Sequence, residues 1–209
     1  NKSKKDTHDH EHVVAEFLRK TKFEIEALES LGDHYENSLS DSYRNKEGIY
    51  YTPNHIVNDL LSLKDKPIGN ETFCDPCCGS GNFLIRALEI GFKPENIFGF
   101  DVDPVAVEIA KRRIHEKTGY KSENIKCADF LQLSISKNSG NYDCIFTNPP
   151  WGKKIEKTEK ELISKILKAG SSLDTCSLFY FSCINALNPG GTMGLLLPES
   201  FFNVATYED

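Results

Sequence analysis

Long apolar runs are missing from this chain of 209 residues, and so is any excess of positive charge. No segment approaches the roughly 18 consecutive apolar residues that a membrane-spanning helix needs, and no signal-peptide pattern opens the sequence. The formal net charge of -6 argues against a basic nucleic-acid-binding module that covers the whole chain. We therefore expect no membrane association, and we expect any phosphate contact to come from a local patch or from another segment.

A disulfide framework is also unexpected, because the seven cysteines are an odd number in a chain long enough to bury a core without covalent links. This count, together with the missing secretion signal, favours a cytoplasmic protein with free thiols. Cys74, Cys77 and Cys78 lie close together but have no second pair at zinc-ligand spacing. We interpret them as small buried residues and predict no metal site.

The composition, 39% hydrophobic and 27% charged, is typical of one globular domain with a possible appendage. Apolar residues recur at helical spacing from Val14 to Leu31. We therefore predict an N-terminal helical extension and linker over residues 1–45, and a main domain over residues 46–209.

Predicted strands alternate with predicted helices from Gly48 onward. The strands are predicted at Glu71–Cys74, Ile97–Val102, Ile125–Ala128, Tyr142–Thr147 and Met193–Leu197. Helices are predicted after Thr52 as N-cap, after Gly81, after Asp103 as N-cap, and over Glu161–Lys168 and Ser177–Leu187. Residues Asn188–Gly191 are predicted to form a turn. This alternation with short turns predicts an α/β fold with a doubly wound, mostly parallel sheet and right-handed crossovers.

A glycine-rich turn, Asp75–Gly81, separates the first strand from its helix. Its glycines permit a tight turn and close approach of a ligand to the helix N-terminus. The turn lacks both the Gly-Lys-Ser/Thr of a P-loop and the third glycine of a dinucleotide fingerprint. Asp101 follows roughly 20 residues later at the end of the second strand, where a carboxylate accepts ribose hydroxyls. Since Asp129 ends the third strand, three carboxylates follow successive strands and indicate a nucleoside-type cofactor site.

The fourth strand runs into Asn148-Pro149-Pro150-Trp151. The two prolines fix φ and remove two backbone donors, so the strand ends in a stiff turn. The side-chain oxygen of Asn148 and the carbonyl of Pro149 are acceptors that can pull the hydrogens of a conjugated NH2 out of its plane and localise the lone pair. Trp151 can hold the ring by stacking. The turn indicates chemistry on a planar amine, although Asn-Pro-Pro alone also fits a simple strand terminus.

Taken in order, these motifs resemble those of S-adenosylmethionine-dependent DNA adenine methyltransferases of restriction–modification systems, in the subclass whose cofactor motifs precede Asn-Pro-Pro. The stretches that carry the resemblance are Tyr50–Pro53, Asp75–Gly81, Gly99–Pro104, Ala128–Phe130 and Asn148–Trp151. Two later stretches, Leu187–Gly191 and Leu195–Phe202, also resemble the family's fifth strand and the loop after it. The resemblance covers the chain from about Gly48 to its C-terminus.

The resemblance implies a Rossmann-like class I methyltransferase core and a role for each matching residue. It implies that the catalytic residues are Asn148, Pro149, Pro150 and Trp151. It implies that the methionine part of S-adenosyl-L-methionine is held by Thr52, Asp75, Cys77, Gly79, Ser80 and Gly81. It further implies that Asp101 binds the ribose hydroxyls, that Val102 packs on the cofactor adenine, and that Asp129 and Phe130 lie at its amine and ring.

The implied activity is methylation of the exocyclic amine of a flipped adenine in double-stranded DNA, within a restriction–modification system. The family's sheet has two further strands, and the family has a second clamping aromatic and a recognition domain. We therefore expect this chain to be part of a larger enzyme, incomplete at the C-terminus, that binds DNA through that domain and works with a specificity or nuclease subunit.

Four alternatives stay open at this stage. The least favoured is a nicotinamide-binding module, because the chain lacks the third glycine and a substrate-side acid–base pair. A protein methyltransferase acting on a glutamine side-chain amide uses the same Asn-Pro-Pro-aromatic motif, although Tyr50–Pro53 ahead of the glycine-rich turn favours DNA. An RNA-directed amine methyltransferase is disfavoured by the acidic charge of the chain. A non-catalytic cofactor-binding subunit is disfavoured by the presence of Asn148 and Asp101.

Overall fold

The computed structural model describes residues 52–152, 154–168 and 174–203, together with Gly32, Tyr35, Asn37 and Leu39. Within these residues, five strands form one sheet in the order β3-β2-β1-β4-β5, and every neighbouring pair is parallel. The strands are β1 (Phe73–Asp75), β2 (Ile97–Asp101), β3 (Ile125–Cys127), β4 (Tyr142–Thr147) and β5 (Leu187–Leu195). The predicted parallel sheet is confirmed.

Helices alternate with these strands along the chain. They are α1 (Asn54–Ser62), α2 (Asn82–Ile90), α3 (Pro104–Thr118), α4 (Phe130–Ile135), α5 (Lys157–Leu167) and α6 (Thr175–Ala186), with short 3-10 turns at Pro94–Asn96 and Glu199–Asn203. None of the helices in the described ranges combines the length and apolarity needed to cross a membrane. The predicted helix between Val14 and Leu31 lies outside the described residues, and the domain division after residue 45 stays a prediction.

Helices cover both faces of the sheet. Successive side chains of a strand point to opposite faces, so Phe73 and Cys74 enter different cores. Phe73 and Phe146 pack with apolar residues of α1, α2 and α3. Cys74 and Ile145 pack with apolar residues of α4, α5 and α6. The sheet is therefore doubly wound, as its near-continuous apolar strands require when neither face meets water.

The turn predicted at Asn188–Gly191 is wrong, because these residues belong to β5. Tyr142 pairs with Leu187 and Cys144 pairs with Thr192, so the intervening part of β5 forms a bulge against β4. The Asn188 side-chain amide donates to Asp143 Oδ1 at 2.7 Å and holds this bulge in place. Pairing with β4 on both sides of the glycines keeps the segment in the sheet.

The predicted N-cap role of Thr52 is also wrong. Pro53 occupies the N-cap position of α1 and makes no side-chain capping bond. The Thr52 hydroxyl instead accepts a hydrogen bond from Asn148 Nδ2 at 3.0 Å. The cap predicted at Asp103 is confirmed, since its side chain accepts from the Val105 and Ala106 amides at the start of α3.

The sheet order places the site. β1 lies beside β4, and the chain proceeds from β1 toward β2 on one side and from β4 toward β5 on the other. This is the topological switch point at which open α/β sheets bind ligands, outside the carboxyl ends of the strands. Asp75 ends β1 and Asn148 directly follows β4.

Candidate active site

A cavity of about 300 Å³ opens at the carboxyl ends of the strands, within the size range of ligand pockets. Most of the predicted site residues line it: Thr52, Asp75, Cys77, Gly79, Ser80, Asp101, Val102, Asp129, Phe130, Asn148 and Pro150. Gly81, Pro149 and Trp151 do not belong to this lining. The fold thus brings together residues that are up to about a hundred positions apart along the chain.

Gly79 and Gly81, the two glycines of the turn after β1, have different structural roles. Gly79 has φ +49°, and a Cβ added to it would meet nothing within 4 Å, so the space beside it is open. Gly81 has φ +94°, and an added Cβ would lie 3.0 Å from the Ala110 Cβ. Gly81 therefore permits close packing of α2 on α3, and this role explains why it does not line the cavity. Gly79 leaves room for a ligand.

Asp75 is a buried carboxylate at the end of β1, only 1% exposed. Its Oδ1 accepts from the Cys77 amide at 3.0 Å. Asp75 Oδ2 and the neighbouring Thr147 Oγ1 are both buried, and the Thr147 hydroxyl is the side-chain donor closest to this carboxylate among the described residues. Burial raises the pKa of Asp75 to about 7, because the charged form is poorly solvated there. Asp75 therefore changes charge near neutral pH.

Asp101 connects the turns that follow two neighbouring strands. Its Oδ2 accepts from the Gly79 amide at 2.8 Å. Its Oδ1 accepts from the Asp103 amide at 2.9 Å. The next residue, Val102, is 50% exposed and presents an apolar side chain to the cavity. A carboxylate and an apolar surface thus lie side by side at this edge.

Asp129 caps α4 through Oδ1, which accepts from the Leu131 amide at 2.9 Å and the Gln132 amide at 3.4 Å. Phe130, which follows, is buried and packs against Phe100 with ring centroids 5.4 Å apart. Backbone hydrogen bonding therefore accounts for part of the pattern of acidic residues at strand ends. All the same, Asp129 and Phe130 line the cavity together.

The Asn-Pro-Pro-Trp turn is anchored at both of its ends. Asn148 is held through Nδ2 by the Thr52 hydroxyl, as described above. The Trp151 indole nitrogen donates to the Leu196 carbonyl at 3.3 Å. Pro149 is buried between them. The turn is consequently tied to the segment ahead of the glycine-rich turn and to the end of β5.

Several lining residues were not among those predicted from the sequence. Asn82, Gln132, Thr175 and Phe179 belong to this group. Asn82 directly follows Gly79-Ser80-Gly81 and opens α2, so its position next to the motif was a usable signal. No comparable sequence signal marks Thr175 or Phe179, which face the cavity only because α6 packs beside α4.

The cysteines near the site are poor nucleophiles. Cys74 and Cys78 are buried, and Cys77 is half-buried in the cavity lining. Burial raises the pKa of the Cys77 thiol well above its usual value, so the thiol stays protonated at neutral pH. In the described ranges, no group of three or more His, Cys, Asp or Glu side chains is placed to hold a metal ion.

A doubly wound parallel sheet with this cavity at its switch point, beside an Asn-Pro-Pro-aromatic turn, defines a Rossmann-like methyltransferase. Residues 26–208 match the family of N-6 DNA methylases. The chain belongs to this family.

Relatives of known type agree with this assignment. The chain is 47% identical over 211 residues to the type II methyltransferase M.VspI of Vibrio sp. (strain 343), across 100% of this chain and 51% of that protein. It is 29% identical over 155 residues to the type I restriction enzyme MjaVIII methylase subunit of Methanocaldococcus jannaschii, across 68% of this chain and 26% of the subunit. The chain thus spans about half of M.VspI, and less of the type I subunit.

A solved structure supports the fold. The methyltransferase subunit of the type I restriction-modification system from Streptococcus thermophilus superposes with a TM-score of 0.60 at 22% identity. The match covers 81% of this chain and 39% of that chain. The Rossmann-like methyltransferase core predicted from the motifs is confirmed.

Proposed function

We propose that this chain carries the catalytic core of a site-specific DNA methyltransferase, which transfers a methyl group from S-adenosyl-L-methionine to the exocyclic amine of a flipped adenine. Family membership and the likeness to M.VspI support this activity. The observation that carries the proposal is the placement of Asn148 at the end of β4, with its side-chain nitrogen held by Thr52 beside the cavity.

The residues of the cavity fit the cofactor. The buried Asp75 Oδ2, which has only the neighbouring Thr147 hydroxyl beside it as a donor among the described residues, is suited to accept from an ammonium group. The open space beside Gly79 leaves room for the methionine part. Asp101 offers a carboxylate for ribose hydroxyls, and Val102 offers an apolar face for the adenine ring. S-adenosyl-L-methionine supplies an activated methyl group when it is bound.

Asn148 and Pro149 prepare the target amine. Because Asn148 directs Nδ2 at Thr52, the amide can present Oδ1 to the amine hydrogens. With the Pro149 carbonyl as a second acceptor, the amine hydrogens are drawn out of the ring plane and the lone pair becomes available. The lone pair would then face a bound S-adenosyl-L-methionine, which would supply the methyl group and leave as the neutral thioether S-adenosylhomocysteine, and the amine would lose one proton to water. Alignment is the main requirement, so a neutral Asn suffices.

The partners follow from the same reasoning. A base inside a duplex cannot reach the turn after β4, so the target adenine must leave the stack. We infer that double-stranded DNA is the substrate, that a recognition domain supplies sequence specificity, and that a specificity or nuclease subunit accompanies the enzyme in the cytoplasm. The relatives named as methylase subunits of type I restriction enzymes support such an assembly.

The test is a methyl-transfer assay with the full-length protein and radiolabelled S-adenosylmethionine. Duplex DNA and a glutamine-containing peptide are offered as separate substrates. We expect label in DNA as N6-methyladenine, and a loss of about 100-fold or more in Asn148→Ala, by analogy with the removal of one preorganised polar group. Asn124→Ala, far from the cavity, is the control and should keep full activity. Label in the peptide alone, or full activity of Asn148→Ala, would overturn the proposal.

A further inference from the structure

A chain of hydrogen bonds leads from α3 to the Asn-Pro-Pro-Trp turn. Arg113 on α3 donates through a guanidinium nitrogen to Asn82 Oδ1 at 2.8 Å. Asn82 Nδ2 donates to the Thr52 carbonyl at 3.3 Å. The Thr52 hydroxyl accepts from Asn148 Nδ2 at 3.0 Å. Residues of α3, of the start of α2 and of the segment ahead of α1 thus form one chain that ends at the Asn148 amide.

We propose that Asn82 and Arg113 are positioning residues, which hold Thr52 and, through its hydroxyl, the Asn148 amide in place for methyl transfer. The proposal rests on the function proposed above for Asn148. It concerns residues that the motif resemblance leaves without a role, since Asn82 lies just beyond the glycine-rich turn and Arg113 lies in the middle of α3.

Arg113 is suited to anchor such a chain. The residue is only 9% exposed although it carries a charge. The nitrogen that donates to Asn82 also donates to the Ser80 carbonyl at 2.8 Å. One buried guanidinium therefore fixes the glycine-rich turn and the first residue of α2 together, and hydrogen bonds from a charged donor are stronger than neutral ones.

Asn82 transmits this restraint because its two polar atoms point in different directions. The oxygen accepts from Arg113, and the nitrogen donates to the backbone of Thr52. Thr52 precedes α1 and is itself buried, so its backbone position sets the position of its hydroxyl. Loss of the Asn82 amide would free Thr52 to shift, and a displacement of the Asn148 amide on the order of 1 Å is enough to slow an alignment-limited transfer.

The test is a double-mutant cycle in the full-length protein. Thr52→Val removes the hydroxyl that accepts from Asn148, and Asn82→Ala removes the restraint on Thr52. We expect each variant to lower kcat about tenfold, as the loss of one hydrogen bond permits. If Asn82 acts through Thr52, the double variant should be no slower than Thr52→Val alone. Thr52→Ser, which keeps the hydroxyl, should restore most of the rate.

Matched controls separate positioning from folding. Asn124 is half-buried like Asn82, and its Nδ2 donates to the Glu95 carbonyl at 2.8 Å. Asn124→Ala therefore removes the same kind of bond away from the site and should leave kcat unchanged. The fluorescence of 2-aminopurine at the target base should change less than about threefold in every variant, because base flipping does not depend on amide alignment. Since Thr52 and Asn82 line the proposed cofactor cavity, S-adenosylhomocysteine affinity is measured for each variant and kcat is compared at saturating cofactor. Should Asn82→Ala fail to fold, Asn82→Asp keeps an oxygen that accepts from Arg113 but turns a carboxylate oxygen, which cannot donate, toward the Thr52 carbonyl.

The outcomes are distinct. Unchanged kcat in the Asn82 variants would overturn the positioning role. So would a double variant whose loss of kcat equals the combined losses of Asn82→Ala and Thr52→Val. Both outcomes leave the proposed methyltransferase function intact. Full transfer by Asn148→Ala would instead defeat the proposed function, whatever the cycle shows.

Discussion

The carboxylate of Asp101 accepts a hydrogen bond from the backbone amide of Gly79 at 2.8 Å. Its other oxygen accepts from the Asp103 amide at 2.9 Å. The turn after β1 and the turn after β2 are therefore held at a fixed separation by a residue that also lines the cavity. A change at Asp101 should affect the shape of the proposed cofactor site as well as its charge.

We expect Asp101→Asn to weaken S-adenosylhomocysteine binding by roughly 10- to 100-fold, the range for loss of hydrogen bonds to a charged group. Isothermal titration calorimetry measures the affinity. The control is Asp143→Asn, because Asp143 Oδ2 likewise accepts a backbone amide, that of Thr72 at 2.8 Å, at the amino-terminal end of β4. That variant should lose stability but keep its affinity. If both variants lost the same affinity, the effect of Asp101→Asn would come from a loss of stability and not from a contact with the cofactor.

Asp75 should make cofactor binding dependent on pH. Its burial, with a smaller contribution from the charge of Asp101, raises its pKa to about 7. If the carboxylate accepts from the cofactor ammonium, binding requires the ionised form, so affinity should rise with pH. We expect the Kd of S-adenosylhomocysteine to fall about tenfold between pH 6 and pH 8. Asp75→Asn should bind more weakly and lose this dependence; a retained slope would assign it to another group.

The same carboxyl group should also affect stability. A folded-state pKa above the ordinary 3.8 means that the folded protein binds the Asp75 proton more tightly than the unfolded chain does. Its contribution is therefore fully present below about pH 4 and is lost as the pH rises through 7, by about 1 kcal/mol per pH unit. Urea unfolding at pH 5 and pH 7.5 should show this loss, and Asp75→Asn should reduce it. An equal slope in both proteins would contradict the burial of the charge.

Asp129 combines capping with a position at the cavity, and two substitutions separate these roles. Asn is as good an N-cap as Asp, so Asp129→Asn should keep the free energy of unfolding, whereas Asp129→Ala should lose about 1 kcal/mol. If Asp129 accepts from the cofactor adenine amine, both variants should bind S-adenosylhomocysteine more weakly. S-inosylhomocysteine carries a carbonyl in place of that amine, so Asp129→Asn should prefer it. Unaltered preference would limit Asp129 to capping.

The strands of this fold were predictable because the residues within and next to each strand indicate where it begins and ends. The predicted strand Tyr142–Thr147 contains an apolar run and is followed, after Asn148, by two prolines, and the structure gives the same bounds. The start of α3 was likewise predictable, since Asp103-Pro104 has a local capping mechanism that the structure uses. Such features depend on neighbours in the sequence alone.

Other features depend on distant pairing and were therefore missed. Thr52 has the sequence of an N-cap, but its hydroxyl bonds to a residue 96 positions away. Asn188–Gly191 has the sequence of a turn, but the residues on both sides of it pair with β4, so the segment forms a bulge within β5. The carboxylates at strand ends were predicted as ligands for a cofactor, and only the structure shows that Asp101 and Asp129 also hold backbone amides.

Trp151 offers a test of how the target base is held. Its indole nitrogen donates to the Leu196 carbonyl, and the Leu196 amide in turn donates to the Thr147 carbonyl at 3.1 Å, so the ring is fixed to β4 and β5. Trp151→Ala removes the stacking face and should lower kcat/KM for DNA by roughly 5- to 150-fold. Trp151→Phe keeps an aromatic face but loses the donor, and it should retain most of the rate.

The reason for this difference is that stacking needs a ring, whereas the bond to Leu196 only limits the motion of that ring. Fluorescence of 2-aminopurine at the target position reports the flipped base independently of turnover, and it should decrease more in Trp151→Ala than in Trp151→Phe. Cofactor affinity should stay unchanged in both variants, because Trp151 does not belong to the cavity lining. If Trp151→Phe were as impaired as Trp151→Ala, the anchoring bond to Leu196, and not the aromatic face, would be what Trp151 contributes.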